Sequence, residues 1–368
     1  MRGAALENLT GAIVELCRAG LSPEALRDSA LPRLRRAVPF DAVFWATVDP
    51  TTLLFTRGHQ DQIPADTIPY FIHNEFLDDD VNKWTALARD RVGVRTLAEV
   101  TAGEMDASPR FRDIFRPLGF GDELRAVLRI QGVCWGYLCL HREAGRAFSP
   151  DEVRYVRRIA ADLADGIRAG LLISSVDLAD VDDAPGLVVV AEDGAVVSMT
   201  AAGERWLDEL RPTGARSHQL PSEIHALAAR LKRPDAADAG LPRLTVRTRS
   251  GRWAVLHASH LPAMDTKAVA VIIEAPSPSD LAPLLMRAHG LTPQEQALTT
   301  LICRGLSTRE LADRLRITPN TVQEHLKAIF DKTGVRSRRE LVTAILQQHY
   351  LPHTIAGRPL APSGYFRT

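Results

Sequence analysis

Hydrophobic residues follow helical spacing from residue 6 to residue 37, and strand-like runs come directly after them. The leucines and isoleucine of the first segment recur at three- and four-residue intervals, which predicts helices. Two runs, FDAVFWATVDP and TTLLFTRGH, are rich in aromatic and β-branched residues and meet at Asp49 and Pro50. Such runs joined at a proline turn predict a β-hairpin.

A second hairpin and a long helix complete the N-terminal pattern. The runs LRAVLRIQG and VCWGYLCLHRE turn at Gln131 and Gly132. Ser149 then stands before Pro150 as an N-cap, and the proline ring presets the backbone of the first helical turn. The order of helices and hairpins predicts an α+β sheet domain over residues 1–175.

A second set of strand-like runs fills residues 183–276. LVVVAEDGAVVSM contains two short strands joined across an Asp-Gly turn, helical stretches follow, and LPRLTVRTRS, GRWAVLHASHLP and KAVAVIIEAP are three further strand-like runs. This pattern predicts a second α+β sheet domain. The serines and prolines of residues 277–284 predict a linker behind it.

Helix-start signals repeat three times in residues 285–350. Each is a capping box, in which a Ser or Thr is followed three residues later by Glu, and Thr318 with Pro319 opens a further helix. The pattern predicts an all-α domain of four helices, with residues 351–368 as a C-terminal tail. The three boxes pair Thr292 with Glu295, Ser307 with Glu310, and Ser337 with Glu340.

Only Arg316, Ile317 and Thr318 separate the second of these helices from the third, and such a short turn predicts a helix-turn-helix. Apolar positions line the sides of the two helices that face each other. The apolar set is Leu311, Ala312, Leu315, Ile317, Val322, Leu326 and Ile329. The opposite face of the third helix then presents polar side chains to solvent.

The segment LTPQEQALTTLICRGLSTRELADRLRITPNTVQEHLKAIFDKTGVRSRRELV resembles the C-terminal DNA-binding domain of the LuxR family of bacterial transcription regulators. The resemblance rests on the Leu-Thr-Pro-x-Glu start, on Gly305-Leu306-Ser307, on Thr321-Val322-x-x-His325 and on Lys332-x-Gly334-Val335. It implies that the third helix reads DNA. The family usually carries Lys or Arg where this chain has Gln323, so its base preference does not transfer.

The two sheet domains also resemble known families. FDAVFWATVD and GVCWGYLCLHREAGRAFSPDEVRYVRRIA, in this order, resemble the GAF family of sensory domains, which implies a six-stranded sheet with a ligand pocket on one face. The hairpin, helices and three-strand meander of residues 183–276 resemble a PAS domain. The expected fold is therefore multidomain: a GAF-like domain, a PAS-like domain and a helix-turn-helix domain.

Charge is distributed unevenly along the chain. The whole sequence of 368 residues is neutral, with 45 basic and 45 acidic side chains. Residues 285–350 nevertheless hold ten basic and six acidic side chains, whereas residues 1–284 hold 33 and 39. A basic C-terminal segment behind an acidic remainder of the chain is typical of a protein that binds nucleic-acid phosphates through that segment alone.

Polar residues of the helix-turn-helix fall into two groups of predicted DNA contacts. Gln can pair with adenine and Lys with guanine, whereas residues at helix ends meet phosphates. Ordinary capping and solvation is the alternative for the second group. Base contacts are predicted for Asn320, Gln323, Glu324 and Lys327, and phosphate contacts for Thr308, Arg309, Thr321, Lys332 and Arg338.

Seven aromatic residues of the first domain are candidates for the wall of a ligand pocket, because such pockets are mainly apolar. They are Phe44, Trp45, Phe71, Trp84, Phe115, Trp135 and Tyr137. A plain hydrophobic core is the alternative. If the pocket exists, its ligand is a small-molecule effector.

No residue set has the pattern of an acid/base pair, an activated nucleophile or a phosphate-binding Gly loop, so no enzyme activity and no cofactor are predicted. No metal site is predicted either. His257 and His260 fall on opposite faces of a strand. Asp78, Asp79 and Asp80 are expected in a solvated loop.

Four scattered cysteines and an N-terminus interrupted by Glu7 and Glu15 predict a cytoplasmic protein that does not contact a membrane. The predicted function is a signal-responsive transcription regulator that binds a near-palindromic operator. Its expected partners are double-stranded DNA, a second copy of the chain and RNA polymerase.

Homodimer contacts are predicted along the helix at 150–172 and at Leu341, Ile345 and Gln348 of the last helix. The alternative function is a co-regulator or architectural protein that binds partner proteins through its sensor domains and DNA without sequence preference. An enzyme built on the sensor fold is disfavoured by the missing catalytic set. The hairpin pattern also argues against a phosphorylated receiver domain.

Overall fold

The computed structural model describes residues 2–173, 184–211, 219–233, 242–261 and 268–347. Met1–Ser175 and Pro185–Glu274 form one compact unit, called here the sheet unit. The chain from Ala275 onward belongs to a second, the helical unit. The tail at 351–368 and Gln348 lie outside the described residues.

The N-terminal sheet has five antiparallel strands in the order β2-β1-β5-β4-β3. Both predicted hairpins are confirmed, whereas the sixth strand implied by the GAF resemblance is not found in the described residues. At the second turn, Gln131 and Gly132 both have positive φ. The strands are β1 Ala42–Val48, β2 Phe55–Asp61, β3 Val94–Thr96, β4 Phe120–Ile130 and β5 Val133–Glu143.

Helices cover both faces of this sheet. Three long helices pack on one face, and shorter segments cover the other. The long ones are α1 Arg2–Arg18, α2 Pro23–Ala37 and α6 Pro150–Leu171. The short ones are α3 Ile68–Phe76, α4 Trp84–Leu87 and α5 Leu97–Val100, with 3₁₀ turns at Ala65–Thr67 and Met105–Ala107 and a π-helical turn at Phe111–Phe115.

The apolar stripe of α6 is used inside the chain. Val156, Ile159 and Ile167 are completely buried, and the helix packs against β4 and α1. These side chains are therefore not available to pair with a second copy. The predicted capping box at the start of the helix is confirmed, with Ser149 and Glu152 bonded in both directions.

The second sheet also has five antiparallel strands, in the order β7-β6-β10-β9-β8. Its strands are β6 Gly186–Val190, β7 Val196–Met199, β8 Arg243–Arg247, β9 Trp253–Leu261 and β10 Ala268–Glu274, and its helices are α7 Ala201–Leu210 and α8 Ser222–Leu231. Two antiparallel α+β sheet domains are therefore present, as expected. The PAS resemblance of the second stays a prediction.

The two sheets share a core inside the sheet unit. One continuous cluster of buried apolar residues runs from Phe44 and Phe71 to Ile224 and Val271. Helix α8 packs against β2 and α3. A Cβ atom on Gly58 of β2 would lie 3.2 Å from the Ser222 hydroxyl, so the two elements approach closely at this glycine. The two predicted sensor domains thus form a single compact body.

The helical unit contains α9 Pro278–Ala288, α10 Pro293–Cys303, α11 Thr308–Leu315, α12 Pro319–Thr333, α13 Arg338–Val342 and a π-helical turn at Thr343–Gln347. The predicted linker at 277–284 is wrong. Ser277 and Asp280 form a capping box that starts α9, and Ala282 and Met286 belong to the core of the helical unit. Proline at the first helical position favours this helix rather than breaking it.

Candidate nucleic-acid interface and sensor core

The helix-turn-helix is built by α11, a three-residue turn and α12. Ser307 and Glu310 form the predicted capping box of α11, and the Thr318 hydroxyl accepts a hydrogen bond from the Thr321 amide at 3.1 Å. Arg316 closes α11 in the left-handed region, with φ of 56°. Gly334 does the same for α12, with φ of 71°. Both ends of the candidate recognition helix are therefore fixed by local chemistry.

The predicted apolar set forms the core between these helices. Leu311, Val322 and Ile329 are completely buried, and Leu326 is nearly so. The opposite face of α12 is exposed, as expected. Its exposed residues are Asn320, Gln323, Glu324, Lys327 and Asp331. Four side chains predicted to contact bases therefore lie together on one free face of the helix.

The side chains predicted to contact phosphates divide into two groups. Arg309 is exposed at the first turn of α11, and Thr321 is half-buried at that of α12. Arg338 instead donates to the Thr308 hydroxyl at 2.9 Å and to the Leu306 carbonyl at 3.4 Å. Lys332 donates to both carboxylate oxygens of Glu295, at 2.9 and 2.7 Å. Lys332 and Arg338 thus have partners inside the domain.

Glu295 is a buried carboxylate that ties α10 to α12. Burial acts to raise its pKa, but Lys332 and the Thr292 amide outweigh burial and hold the pKa of Glu295 below its usual range. The carboxylate is therefore ionised at neutral pH. This pairing joins residues 37 apart, and sequence spacing gave no sign of it.

Leu341 and Ile345 lie inside the helical unit. Their exposed fractions are 0% and 2%, and both belong to the same apolar cluster as Val322 and Leu326. The prediction that they form a dimer contact is therefore wrong for this conformation, because their side chains are covered by their own domain.

Five of the seven aromatics predicted to line a pocket pack against one another in the N-terminal domain. Trp84 stacks on Tyr137 with ring centroids 4.9 Å apart, and Phe44 and Phe71 lie 5.6 and 5.5 Å from Trp84. Phe115 joins through Phe71 at 5.9 Å. In this conformation the five rings form a packed hydrophobic core, which was the alternative to a ligand pocket.

Trp45 and Trp135 are buried outside that cluster. Strand alternation turns Trp45 to the face opposite Phe44. Trp135 sits at an irregularity in the pairing of β4 with β5. These two tryptophans therefore do not join the other five aromatics.

A network of buried charges lies next to the aromatic cluster, and we call it the buried ion network: Glu75, Asp80, Arg110, Glu123 and Arg125. Arg110 donates to Glu123 at 2.7 Å and to Asp80 at 3.1 Å. Arg125 donates to Glu75 at 2.7 Å and to Glu123 at 2.9 Å. All five side chains are at most 1% exposed. The expectation that Asp80 is solvated is therefore wrong.

Several buried polar atoms around Arg125 have no hydrogen-bond partner among the described residues. They are Arg125 Nη2, Trp84 Nε1 and both side-chain atoms of Asn82. The three residues adjoin, because Arg125 donates to the Asn82 carbonyl and its guanidinium lies 4.1 Å from the Trp84 ring centre. Buried polar groups normally have hydrogen-bond partners, so this group of unsatisfied atoms is unusual for a protein core.

An open cleft of about 310 Å³ lies at the edge of this region. It is lined by Tyr70, His73, Asn74, Asp78, Pro109, Arg110, Asp113 and Ile114. None of the seven predicted aromatics lines it. This cleft could not be predicted from sequence, because its residues come from two separate segments of the chain.

Within the described residues, no helix combines the length and the apolar character that crossing a bilayer requires.

Comparison with known proteins bears mainly on the helical unit. Residues 289–345 match the family described as "Bacterial regulatory proteins, luxR family". The "Probable HTH-type transcriptional regulator GfsR" of Streptomyces halstedii is 44% identical over 50 residues, which are 14% of this chain and 21% of that protein. This chain therefore spans about a fifth of the length of GfsR.

Two further similarities extend over more of the chain. "Response regulator Rre1" of Synechocystis is 26% identical over 219 residues, 56% of this chain and 91% of that protein. The GAF domain of a phosphoenolpyruvate-protein phosphotransferase from Coxiella burnetii covers 45% of this chain and 93% of its own, with 16% identity and a TM-score of 0.35.

The helical unit therefore has both the architecture and the sequence match of one known DNA-binding module. Its short turn and exposed α12 face lie inside the matched residues 289–345. The segment from 289 to 345 is a LuxR-type helix-turn-helix domain.

Proposed function

We propose that this chain is a signal-responsive transcription regulator in which α12 reads a near-palindromic operator as part of a homodimer. The observation that carries the proposal is the exposed face of α12, which presents Asn320, Gln323, Glu324 and Lys327 on a domain whose other side is packed. A recognition helix of this kind enters the major groove of DNA. The basic excess of residues 285–350 supports the same role.

Gln323 is the residue that tests the reading of bases. Changing Gln323→Ala should cost about 1 to 3 kcal/mol per half-site and flatten discrimination at one or two base pairs, because a bidentate pair with adenine is lost. Affinity for random duplexes should stay the same. The measurement is binding to a site selected from a random DNA library, compared with binding to scrambled DNA.

Gln294→Ala provides the matched control, since Gln294 is an exposed glutamine on α10. It should leave both affinities unchanged. If the wild-type chain selects no preferred sequence from the library, the co-regulator or architectural function replaces this proposal.

Dimerisation is part of the proposal because two-fold related half-sites call for two recognition helices about one helical turn apart. The apolar stripe of α6 and the side chains of Leu341 and Ile345 are buried, so among the described residues other surfaces supply the contact. Light scattering with and without operator DNA measures it. One bound chain per operator would contradict the homodimer.

The sensor proposal rests on the unpartnered atoms near Arg125. A small effector with a carbonyl or carboxylate group would accept hydrogen bonds from Arg125 Nη2, Trp84 Nε1 and the Asn82 amide. The neighbouring rings would hold its apolar part. Mass spectrometry of molecules that co-purify with the full chain tests this, with Arg125→Met as the comparison. A mass retained equally by both chains would contradict it.

A further inference from the structure

Three side chains with metal-binding chemistry meet on one face of the β4–β5 hairpin. The register places Glu123 opposite His141 and Arg125 opposite Cys139. Cys139 and His141 are two residues apart, so both point to the face that Glu123 occupies. Cys139 Sγ lies 3.1 Å from a Glu123 carboxylate oxygen and 3.3 Å from His141 Nε2. A thiol, an imidazole and a carboxylate thus converge on one point.

The spacing of these atoms fits a small borderline metal ion. Zinc–sulfur and zinc–nitrogen bonds of about 2.3 and 2.0 Å at a tetrahedral angle place sulfur and nitrogen about 3.5 Å apart. The observed 3.3 Å separation needs a change of only a few tenths of an ångström. One ligand atom from each of the three residues lies within 4.8 Å of the ligand atoms of the other two. Side-chain adjustment alone can therefore form the site.

The charge of the surroundings favours a cation. The buried ion network holds three carboxylates, Glu75, Asp80 and Glu123, and only the two guanidiniums of Arg110 and Arg125. With a neutral imidazole and a protonated thiol, one negative charge is left over. A divalent ion that displaces the thiol proton brings the whole group to zero. This removes a buried net charge, which is costly in a protein interior.

The residues around Glu123 and His141 supply part of a supporting shell, although His141 Nδ1 has no hydrogen-bond partner among the described residues. Arg125 and Arg110 each donate to one Glu123 oxygen and so hold the carboxylate in place. The rings of Phe115 and Phe120 lie 4.3 and 5.1 Å from the His141 ring and shield it from water. Hydrogen bonds that orient the ligands and an apolar surround are what tune metal sites in proteins.

We propose that Glu123, Cys139 and His141 bind one divalent transition-metal ion of the zinc type. The ion forms bonds to Cys139 Sγ, His141 Nε2 and a Glu123 oxygen, and the thiol proton leaves to solvent. Three protein ligands leave a fourth position for water or a small exogenous ligand. The spacing of cysteines, histidines and acids along the sequence does not predict this site, because its ligands come together only through the register of a hairpin.

Cobalt(II) is the probe for the experiment, because it takes the ligands of zinc and gives a sulfur-to-cobalt charge-transfer absorption. The reduced full-length chain is stripped with a chelator and titrated with cobalt(II), both when folded and during refolding, since the three ligands are buried. One equivalent of cobalt with that absorption is expected. Zinc should displace the cobalt and raise the melting temperature.

Cys134→Ser is the matched control, because Cys134 is buried on the same strand outside the cluster. It should keep the absorption, and Cys139→Ser should abolish it. Should Cys139→Ser fail to fold, His141→Gln serves as the second variant, with at least a tenfold loss of cobalt affinity expected. Absence of the absorption in the wild-type chain, or its loss in Cys134→Ser, would overturn the metal site. Neither outcome bears on operator binding, which is measured separately.

Discussion

Lys332 distinguishes two roles that a cation can have in a DNA-binding domain. It was predicted to contact phosphate, yet in the structure it pairs with the buried carboxylate of Glu295. Without Lys332, that carboxylate keeps the Thr292 amide but loses its counter-charge. The residue thus contributes to the fold of the domain as well as to its surface charge.

We expect Lys332→Ala to lower the free energy of unfolding of the helical unit by about 1 to 3 kcal/mol, because it leaves a buried acceptor poorly satisfied. Since the folded pKa of Glu295 is depressed, the pairing stabilises the domain at neutral pH and is lost as the pH falls through that folded pKa. The stability of the variant should therefore fall less than that of the wild type as the pH is lowered through this range. Urea unfolding at several pH values measures both effects.

Lys327→Ala is the control for that experiment, because Lys327 is exposed on the same helix. Its stability should match the wild type. If Lys332→Ala unfolds like the wild type but lowers the salt slope of DNA binding by about one, Lys332 is a phosphate contact as first predicted.

Residues whose role depends on local spacing were predictable, and those with distant partners were not. Helical period alone placed Gln323 and Lys327 on the exposed face of α12. Glu295, the partner of Lys332, and Glu75, one of the two partners of Arg125, lie 37 and 50 residues away and follow only from the tertiary fold. Glu123 and Arg125 lie two residues apart in β4, so strand alternation places both on one face, and this spacing is a sequence signal for the buried ion pair.

At the scale of elements, the turn between α11 and α12 places an arginine in a backbone conformation that favours glycine. Arg316 occupies the left-handed region with φ of 56°, where a Cβ atom is unfavourable. Its amide still donates to the Ala312 and Asp313 carbonyls and so closes α11. The three-residue turn between the two helices begins at this residue.

Glycine at position 316 should relieve the strain. We expect the free energy of unfolding of Arg316→Gly to exceed that of Arg316→Ala by about 1 kcal/mol, because both lose the side chain and only glycine accepts positive φ freely. Thermal denaturation measures the difference. At Arg314, inside α11, the same pair should rank in the opposite order, and an identical ranking at both sites would contradict the strain.

The prediction of elements was correct where it used local signals such as N-caps and strand patterns. It was wrong where it used proline and serine content instead. The hairpins, the long helix and the capping boxes at Thr292 and Ser307 are confirmed. Residues 277–284 carry the same signal, with Ser277 as N-cap and Asp280 three residues later, yet their prolines suggested a linker. The strand count of the first sheet came from a family resemblance and was one too high for the described residues.

At the scale of the whole molecule, the contact between the two sheet domains contains a buried acid. Glu223 of α8 is 3% exposed and accepts a hydrogen bond from the Ser222 hydroxyl at 3.2 Å. Burial raises the pKa of Glu223 to about 7, although the charge of Arg57 on β2 opposes the rise. The protonated form therefore fits this contact better than the carboxylate.

We expect the pH dependence of sheet-unit stability to change in Glu223→Gln. Because the folded pKa is raised, the contribution of Glu223 is fully present below an unfolded pKa of about 4.3 and is lost as pH rises toward 7. The wild type should thus lose stability relative to the variant between pH 5 and pH 8. Urea unfolding at the two pH values measures the difference.

Glu204→Gln, an exposed change on α7, should keep the wild-type pH profile. If Glu223→Gln also keeps that profile, Glu223 is ionised in the folded chain and paired with Arg57. The shared core itself could not be predicted, since the apolar positions of α3 and α8 look alike whether they face their own sheet or the other domain.

The shared core also limits how this chain can be recombined with others. A chimera that exchanges only residues 183–276 would uncover the apolar surface of α3 that α8 covers, and such patches promote aggregation. Because α9 belongs to the helical unit, a fusion joined at residue 285 would cut a helix in two. The smallest interchangeable parts are therefore the whole sheet unit up to Glu274 and the helical unit from Ala275, joined between those residues.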